Sequence, residues 1–127
     1  EQKNAVSPIG ILEYAGRRLV FTGDSNKSNE DYYCETYPRV DCDVLKVAHH
    51  GSKGSSSEEF LQHVKCEYAV ISVGAGNKHK HPEQETLKRL KENGIQEIHR
   101  TDQCGNVVLT VSNTGKMTFS CAKKHVA

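Results

Sequence analysis

The sequence has no tryptophan, one methionine and three prolines, and it contains no long hydrophobic run. Apolar residues make up 35% of the chain, and no stretch approaches the ~20 consecutive apolar residues that a membrane-spanning helix needs. No segment combines a basic start, an apolar centre and a small-residue cleavage site, as a signal peptide does. We therefore expect no membrane segment in this chain.

The chain also lacks an excess of charge of either sign. Its 17 Lys and Arg residues nearly balance 16 Asp and Glu residues, which leaves a net charge of +1. Nucleic-acid-binding domains usually carry a clustered basic excess, whereas the short basic runs here are typical of solvated surfaces. Net charge therefore gives no argument for nucleic-acid binding.

The five cysteines are odd in number, and no two of them form a CxxC pair. This spacing argues against a zinc knuckle. We expect reduced thiols that fill the core as small apolar groups, which favours a reducing compartment. One disulfide, between Cys34 and Cys42, remains an open alternative.

The length of 127 residues suits one domain or part of one. The sequence begins at Glu1, and its single methionine is Met117. We expect a processed chain or an excised fragment, and we favour the fragment.

Periodic patterns predict strands that alternate with helices. The predicted strands are "IGILEYAG", "RRLVFTG", "CDVLKVA", "YAVISVG", "QEIHRTD", "NVVLTV" and "KMTFSC". The predicted helices are "SSSEEFLQHV", which Ser55 and Ser56 would cap, and "HPEQETLKRLKENG", with Pro82 at its first position and Gly94 at its end. The polar segment "SNKSNEDYYCETYP" is expected to be a loop with a short helix. This order predicts a layered α/β architecture.

Metal-capable side chains follow three of the predicted strands. They are Asp24, the pair His49-His50, and His81. Loops at strand ends are the usual place for a site in α/β folds, and a carboxylate with imidazoles suits zinc, manganese or iron. The histidine pair is the strongest signal because buried imidazoles need partners. "TGD" alone is more typical of a turn, and His81 fits a helix cap equally well.

Four segments in this order resemble one known family. They are "NAVSPIGILEYAGRRLVFTGD", "DVLKVAHHGSKGSSSEEFL", "YAVISVGAGNKHKHP" and "RTDQCGNVVLTV". Together they resemble the C-terminal half of metallo-β-lactamase-fold hydrolases, and are most similar to the β-lactamase-like domain of ComEC-type DNA-uptake competence proteins. The resemblance implies that residues 1–127 are the C-terminal part of an αβ/βα sandwich, a mixed sheet with helices packed on it.

The resemblance also implies a site with two divalent ions, zinc or manganese, in the parent enzyme. Asp24 matches the aspartate that bridges both metals, and His81 matches a ligand of the second. His49 and His50 match a pair in which one residue is a ligand or a proton donor, and we assign His50 to the metal and both to catalysis. The substrate-binding candidates that the resemblance implies are Asn4, Ser7, Ser52 and Asn77.

The family's main metal motif, HxHxDH, is missing from this sequence. Its absence predicts that the N-terminal half of the same domain is a partner of this chain, and that the fragment alone is inactive and binds metal weakly or not at all. The parent is expected to be a metal-dependent phosphodiesterase or DNase of DNA uptake, which could take DNA or another phosphodiester as substrate. The alternative is a non-catalytic α/β module. A true β-lactamase is disfavoured because HHGS belongs to the competence-like branch.

The compartment is left open by these observations. A competence channel would place the domain at the cell surface or membrane, and a soluble relative would be cytoplasmic.

Overall fold

The computed structural model describes residues 7–123, which form an α/β fold. The strands are β1 (Gly10–Tyr14), β2 (Arg17–Phe21), β3 (Val44–Lys46), β4 (Tyr68–Ile71), β5 (Glu97–Arg100), β6 (Val107–Val111) and β7 (Met117–Cys121). The helices are α1 (Lys27–Thr36), α2 (Glu58–Val64), α3 (Gln84–Glu92) and α4 (Thr101–Cys104), with a 3-10 turn at Ala48–Gly51. Among the described residues, no helix has the length and apolar character needed to cross a membrane.

A five-stranded mixed sheet carries the fold, with the strands in the order β1-β2-β3-β4-β5. β1 and β2 form an antiparallel hairpin whose turn is Ala15-Gly16, both with positive φ, as two-residue hairpin turns require. β2, β3, β4 and β5 are mutually parallel. The predicted mixed sheet with helices is confirmed.

Alternation along the strands separates the two faces of this sheet. Val20, Leu45 and Ala69 lie in register and are fully buried on the face that the helices cover. Phe60 and Leu90 contribute the largest helix side chains to the same core. Burial of such side chains is worth about 1.5–3 kcal/mol each, so the helical face holds most of the stabilising contacts.

The opposite face is only partly covered. β6 and β7 pair as a separate two-stranded sheet, and Phe119 of β7 stacks on His99 with ring centres 4.1 Å apart. Phe119 also contacts Tyr68, at 5.5 Å. Of the three strands predicted near the C-terminus, β5 joins the main sheet, whereas β6 and β7 lie over it. On β1 and β2 this face is less covered, since Phe21 is 46% exposed and Leu12 is 54% exposed.

The helix starts differ from the predicted ones for tertiary reasons. α2 is capped by Ser57, whose Oγ accepts from the Phe60 amide at 3.3 Å. Ser55 is buried instead and donates to the Ser25 carbonyl, and the Ser56 amide donates to the buried Glu30 carboxylate. Burial raises the pKa of that carboxyl group. The predicted capping residues are therefore used to join α1 to α2.

The polar segment before β3 forms a longer helix than expected. α1 has ten residues and is capped by Asn26, whose side chain accepts from the amides of Ser28 and Asn29. The structure also moves the start of the helix that follows His81. α3 begins at Gln84 with Glu83 as its N-cap, so Pro82 precedes the helix instead of occupying its first position. The predicted end at Gly94 is confirmed by its φ of 99° just beyond α3.

Candidate metal centre

The parallel arrangement brings three loops to one edge of the sheet. β2, β3 and β4 all end there, and they are followed by Asp24, His49-His50 and the loop that contains His81. Ligand sites of open α/β sheets lie at the carboxyl ends of such strands. The candidate residues therefore lie on the side of the sheet where a site is expected.

The first loop is tied to its neighbours by hydrogen bonds. Thr22 Oγ1 donates to the Lys46 carbonyl, and the His49 amide donates to the Gly23 carbonyl at 3.0 Å. The Asp24 amide donates to Ser7 Oγ at 3.0 Å. These bonds place the backbone of Asp24 beside the histidine pair.

The histidine pair has an unusual backbone. His49 has φ 52° and ψ 43°, and His50 has φ 56° and ψ 24°. Two consecutive left-handed residues that are not glycine cost of the order of 1–3 kcal/mol each and occur mainly at functional sites. The turn directs the two rings apart, with centres 6.3 Å from one another.

A hydrogen bond to the backbone of β4's following loop orients the His50 ring. Its Nδ1 lies 2.6 Å from the Ser72 carbonyl oxygen. Because a carbonyl can only accept, Nδ1 is the donor in this contact, and in the neutral form of the ring Nε2 then keeps its lone pair. The neutral ring thus presents a nitrogen suited to a metal, and a backbone carbonyl on the other nitrogen is the usual way to orient such a ligand.

Gly51 joins the histidine turn to the loop of His81. It has φ +88°, and a Cβ placed on it would lie 2.5 Å from Pro82 Cβ and 2.8 Å from Pro82 Cα. The Gly51 carbonyl accepts from the Glu83 amide at 3.1 Å. The two loops therefore touch at a point with no space for a side chain.

Asn77 closes the loop that contains His81 on itself. Its Nδ2 donates to the carbonyls of Gly74 at 3.0 Å and His81 at 2.7 Å. Its Oδ1 accepts from the His81 amide at 2.9 Å. The whole amide group is engaged in holding residues 74–81, so its observed contacts position His81, and a contact with substrate stays a prediction.

The imidazoles of both loops form one cluster. The His81 ring lies 5.9 Å from the His49 ring and 5.7 Å from the His79 ring, measured between ring centres. Burial, more than the neighbouring histidines, lowers the pKa of His81, although Glu83 acts in the opposite direction. Glu83 Oε2 is 3.9 Å from His81 Nε2. The fold therefore favours the neutral form of His81, which is the form that binds metal.

Lys46 is a site residue that the sequence interpretation passed over. It ends β3, and burial lowers the pKa of its ammonium group while Asp24 raises it. The signal in the sequence was a single lysine in an otherwise apolar strand. The ammonium group places a positive charge near the carboxylate of Asp24.

The donor types suit a divalent ion, but the group is incomplete. Two imidazoles on one tetrahedral zinc ion have ring centres about 5 Å apart, somewhat closer than those of His49 and His81. Within residues 7–123, no set of three or more His, Cys, Asp or Glu side chains is arranged to hold a metal ion. The residues thus fit part of a coordination shell.

The remaining substrate-binding candidates are Ser7, Ser52 and Asn4, and they differ in how the structure places them. Ser7 lies beside Asp24, as described. Ser52 Oγ accepts from the Gly54 amide at 3.3 Å, within the loop that leads to α2. Asn4 lies outside the described residues. The roles assigned to these residues remain predictions.

Known proteins provide a further comparison. No model of a protein family matches the chain. ComE operon protein 3 of Bacillus subtilis is 40% identical over 111 residues, which cover 87% of this chain and 14% of that protein. Competence protein ComA of Neisseria gonorrhoeae is 40% identical over 103 residues, or 80% of this chain and 15% of that protein.

A third relative is Recombination protein 2 of Haemophilus influenzae, 36% identical over 87 residues, which cover 68% of this chain and 11% of that protein. The chain thus spans 11% to 15% of the length of these curated relatives. Their names refer to a ComE operon, to recombination and to competence. The predicted resemblance to competence proteins is confirmed, since the chain is homologous to a segment of each.

Proposed function

We propose that this chain is the C-terminal portion of a metal-dependent hydrolase with the metallo-β-lactamase fold, acting on phosphodiesters in DNA uptake. The observation that carries the proposal is the cluster of His49, His50 and His81 at one sheet edge, beside the loop of Asp24. The link to DNA uptake rests on the homologous competence protein.

Asp24, His50 and His81 would hold two divalent ions together with ligands from an N-terminal half. When bound, such ions lower the pKa of water and polarise the scissile phosphodiester. The chain's own residues prepare the ligands. Ser72 keeps the proton of His50 on Nδ1, and burial keeps His81 in its neutral form.

His49 is suited to moving a proton. The residue is half-buried, and its ring centre lies 6.3 Å from that of His50 and 5.9 Å from that of His81. Imidazole is the side chain that gains and loses protons near neutral pH, and a positioned donor contributes about 10²–10⁴-fold to such reactions. We assign His49 as the donor to the leaving oxygen.

The open face of the sheet supports an N-terminal half as the partner. Both sides of β1 are exposed, and Leu12, Tyr14 and Phe21 are 46% to 54% exposed. An apolar cleft of ≈160 Å³ lies on the same face, between the main sheet and β6. A second sheet packed here would bury this surface, as in a sandwich.

The test compares the chain with a longer protein that includes the upstream part of its reading frame. Both are assayed with bis-p-nitrophenyl phosphate and linear DNA, with zinc or manganese. We expect turnover only from the longer protein, lost in Asp24→Asn and His50→Ala and retained in the matched control His63→Ala. Turnover by the chain alone, or activity that survives both site substitutions, would contradict the proposal.

A further inference from the structure

Two cysteines lie side by side at the opposite edge of the sheet from the histidines. The register of β3 on β4 pairs Val44 with Tyr68 and Leu45 with Ala69, a constant offset of 24 residues. Continued two residues towards the start of each strand, it pairs Cys42 with Cys66. Neighbouring strands are ≈4.8 Å apart, which lies within the ~4.4–6.8 Å between Cα atoms that a disulfide spans.

Hydrogen bonds continue this register for one residue beyond the strands. The amides of Glu67 and Tyr68 both donate to the Asp43 carbonyl, at 3.2 and 3.0 Å, whereas the Cys42 amide turns to the Val64 carbonyl at 2.9 Å. Both cysteines are buried, with 5% and 4% of their surface exposed. The two cysteines therefore belong to one buried cluster, beside the first residues of β3 and β4.

The two thiols interact through a hydrogen bond, and each Sγ also lies near a backbone carbonyl two residues before it, Cys42 at 3.7 Å from Val40 O and Cys66 at 3.8 Å from Val64 O. The bond from Cys66 lowers the pKa of Cys42, and the same bond raises the pKa of Cys66. Arg18 also favours the Cys42 thiolate. The thiolate is the nucleophilic form of cysteine, and of these two thiols Cys42 is the one whose environment favours it.

A basic surface basin of ≈670 Å³ adjoins the pair. It is lined by Arg18, Arg39, Val40, Asp41 and Lys65. Cys42 directly follows Asp41, and Cys66 directly follows Lys65. With three cations and one carboxylate, the basin suits a small anionic molecule.

We propose that Cys42 and Cys66 are a redox-active pair that forms a disulfide by exchange with a small anionic disulfide of the glutathione class. The Cys42 thiolate attacks one sulfur of the oxidant, whose S–S bond breaks and releases one thiolate. Cys66 then loses its proton to solvent and attacks the Cys42 sulfur, which releases the second thiol. Two protein thiols are oxidised and one disulfide is reduced to two thiols.

The test exposes the folded chain to graded ratios of oxidised to reduced glutathione, quenches it with acid and alkylates the remaining thiols. Peptide mapping is expected to show Cys42 linked to Cys66, with the loss of two hydrogens. Cys34 should stay alkylated. Full alkylation of Cys42 and Cys66 at the most oxidising ratio would overturn the proposal, and so would a first product that contains Cys34.

The basin has its own test. Arg39→Gln and Lys65→Gln, both at exposed positions of the basin, are expected to slow oxidation by glutathione disulfide about tenfold in combination, with little effect on oxidation by the cationic disulfide cystamine. Lys78→Gln is the matched control because Lys78 lies in the loop at the other sheet edge. Circular dichroism checks that each variant is folded. Equal slowing with both oxidants, or no slowing with glutathione disulfide, would refute the role of the basin.

Discussion

Replacing Gly51 with alanine tests the contact that holds the two histidine loops together. The new Cβ would lie 2.5 Å from Pro82 Cβ and 2.8 Å from Pro82 Cα, and the residue has φ +88°. Both neighbours are parts of a ring and a backbone that cannot move aside by rotating a side chain. Alanine at this position therefore has to displace one loop from the other.

The magnitude follows from two separate costs. An L-residue with a left-handed backbone costs roughly 1–2 kcal/mol, and overpacking of a filled space costs about 1–3 kcal/mol. Their sum predicts that Gly51→Ala lowers the free energy of unfolding by about 2–5 kcal/mol. Displacement of Pro82 should also move His81 away from His49, so their ring-to-ring nuclear Overhauser effects should weaken.

The assay is denaturant unfolding, which compares the free energy of unfolding of Gly51→Ala with that of the control variant Gly74→Ala. Gly74 is exposed, and a Cβ placed on it meets nothing within 4 Å. We expect the control to stay within about 0.5 kcal/mol of the parent chain. If Gly51→Ala is as stable as the control and keeps its ring-to-ring effects, the two loops do not meet as described.

Two further predictions concern the loop of His81. Asn77→Ala removes three hydrogen bonds and should cost about 1–3 kcal/mol of unfolding free energy, while Asn113→Ala, in an exposed turn, should cost little in the same denaturant titration. Glu83→Gln should lower the pKa of His81 further, since Glu83 raises it, and NMR pH titration measures the shift against Glu92→Gln. Because the folded pKa of His81 is already lowered, the folded chain binds fewer protons there than the unfolded chain. Stability should therefore fall as the pH drops from the ordinary histidine pKa to the lowered one.

The parts of the fold that depend on local pattern were predictable from the sequence. Alternating apolar runs located the strands, and the parallel sheet then placed the loops of Asp24, His49 and His81 at one edge. The helix caps were less predictable, because Ser55 and Ser56 bind groups about 26 to 30 residues away. Such long-range partners leave no local signal.

Two features of the thiols and the site also depend on packing. The sequence left open a bond between Cys34 and Cys42, whereas the register of the sheet brings Cys42 against Cys66. The left-handed backbone of both His49 and His50 was not predictable, since two consecutive non-glycine residues rarely adopt it.

Zinc titration of the chain, followed through its histidine ring resonances, tests the central claim most directly. We predict that the rings of His49, His50 and His81 shift together and that His63 does not. Binding should be weak and reversible by dialysis, because residues 7–123 provide no group of three or more side chains arranged to hold a metal ion, and Asp24→Asn should weaken it further. Lowering the pH through the ordinary histidine pKa should release the metal. Equal shifts at His63, no shift at the clustered rings, or a stoichiometric site that survives dialysis would contradict the account.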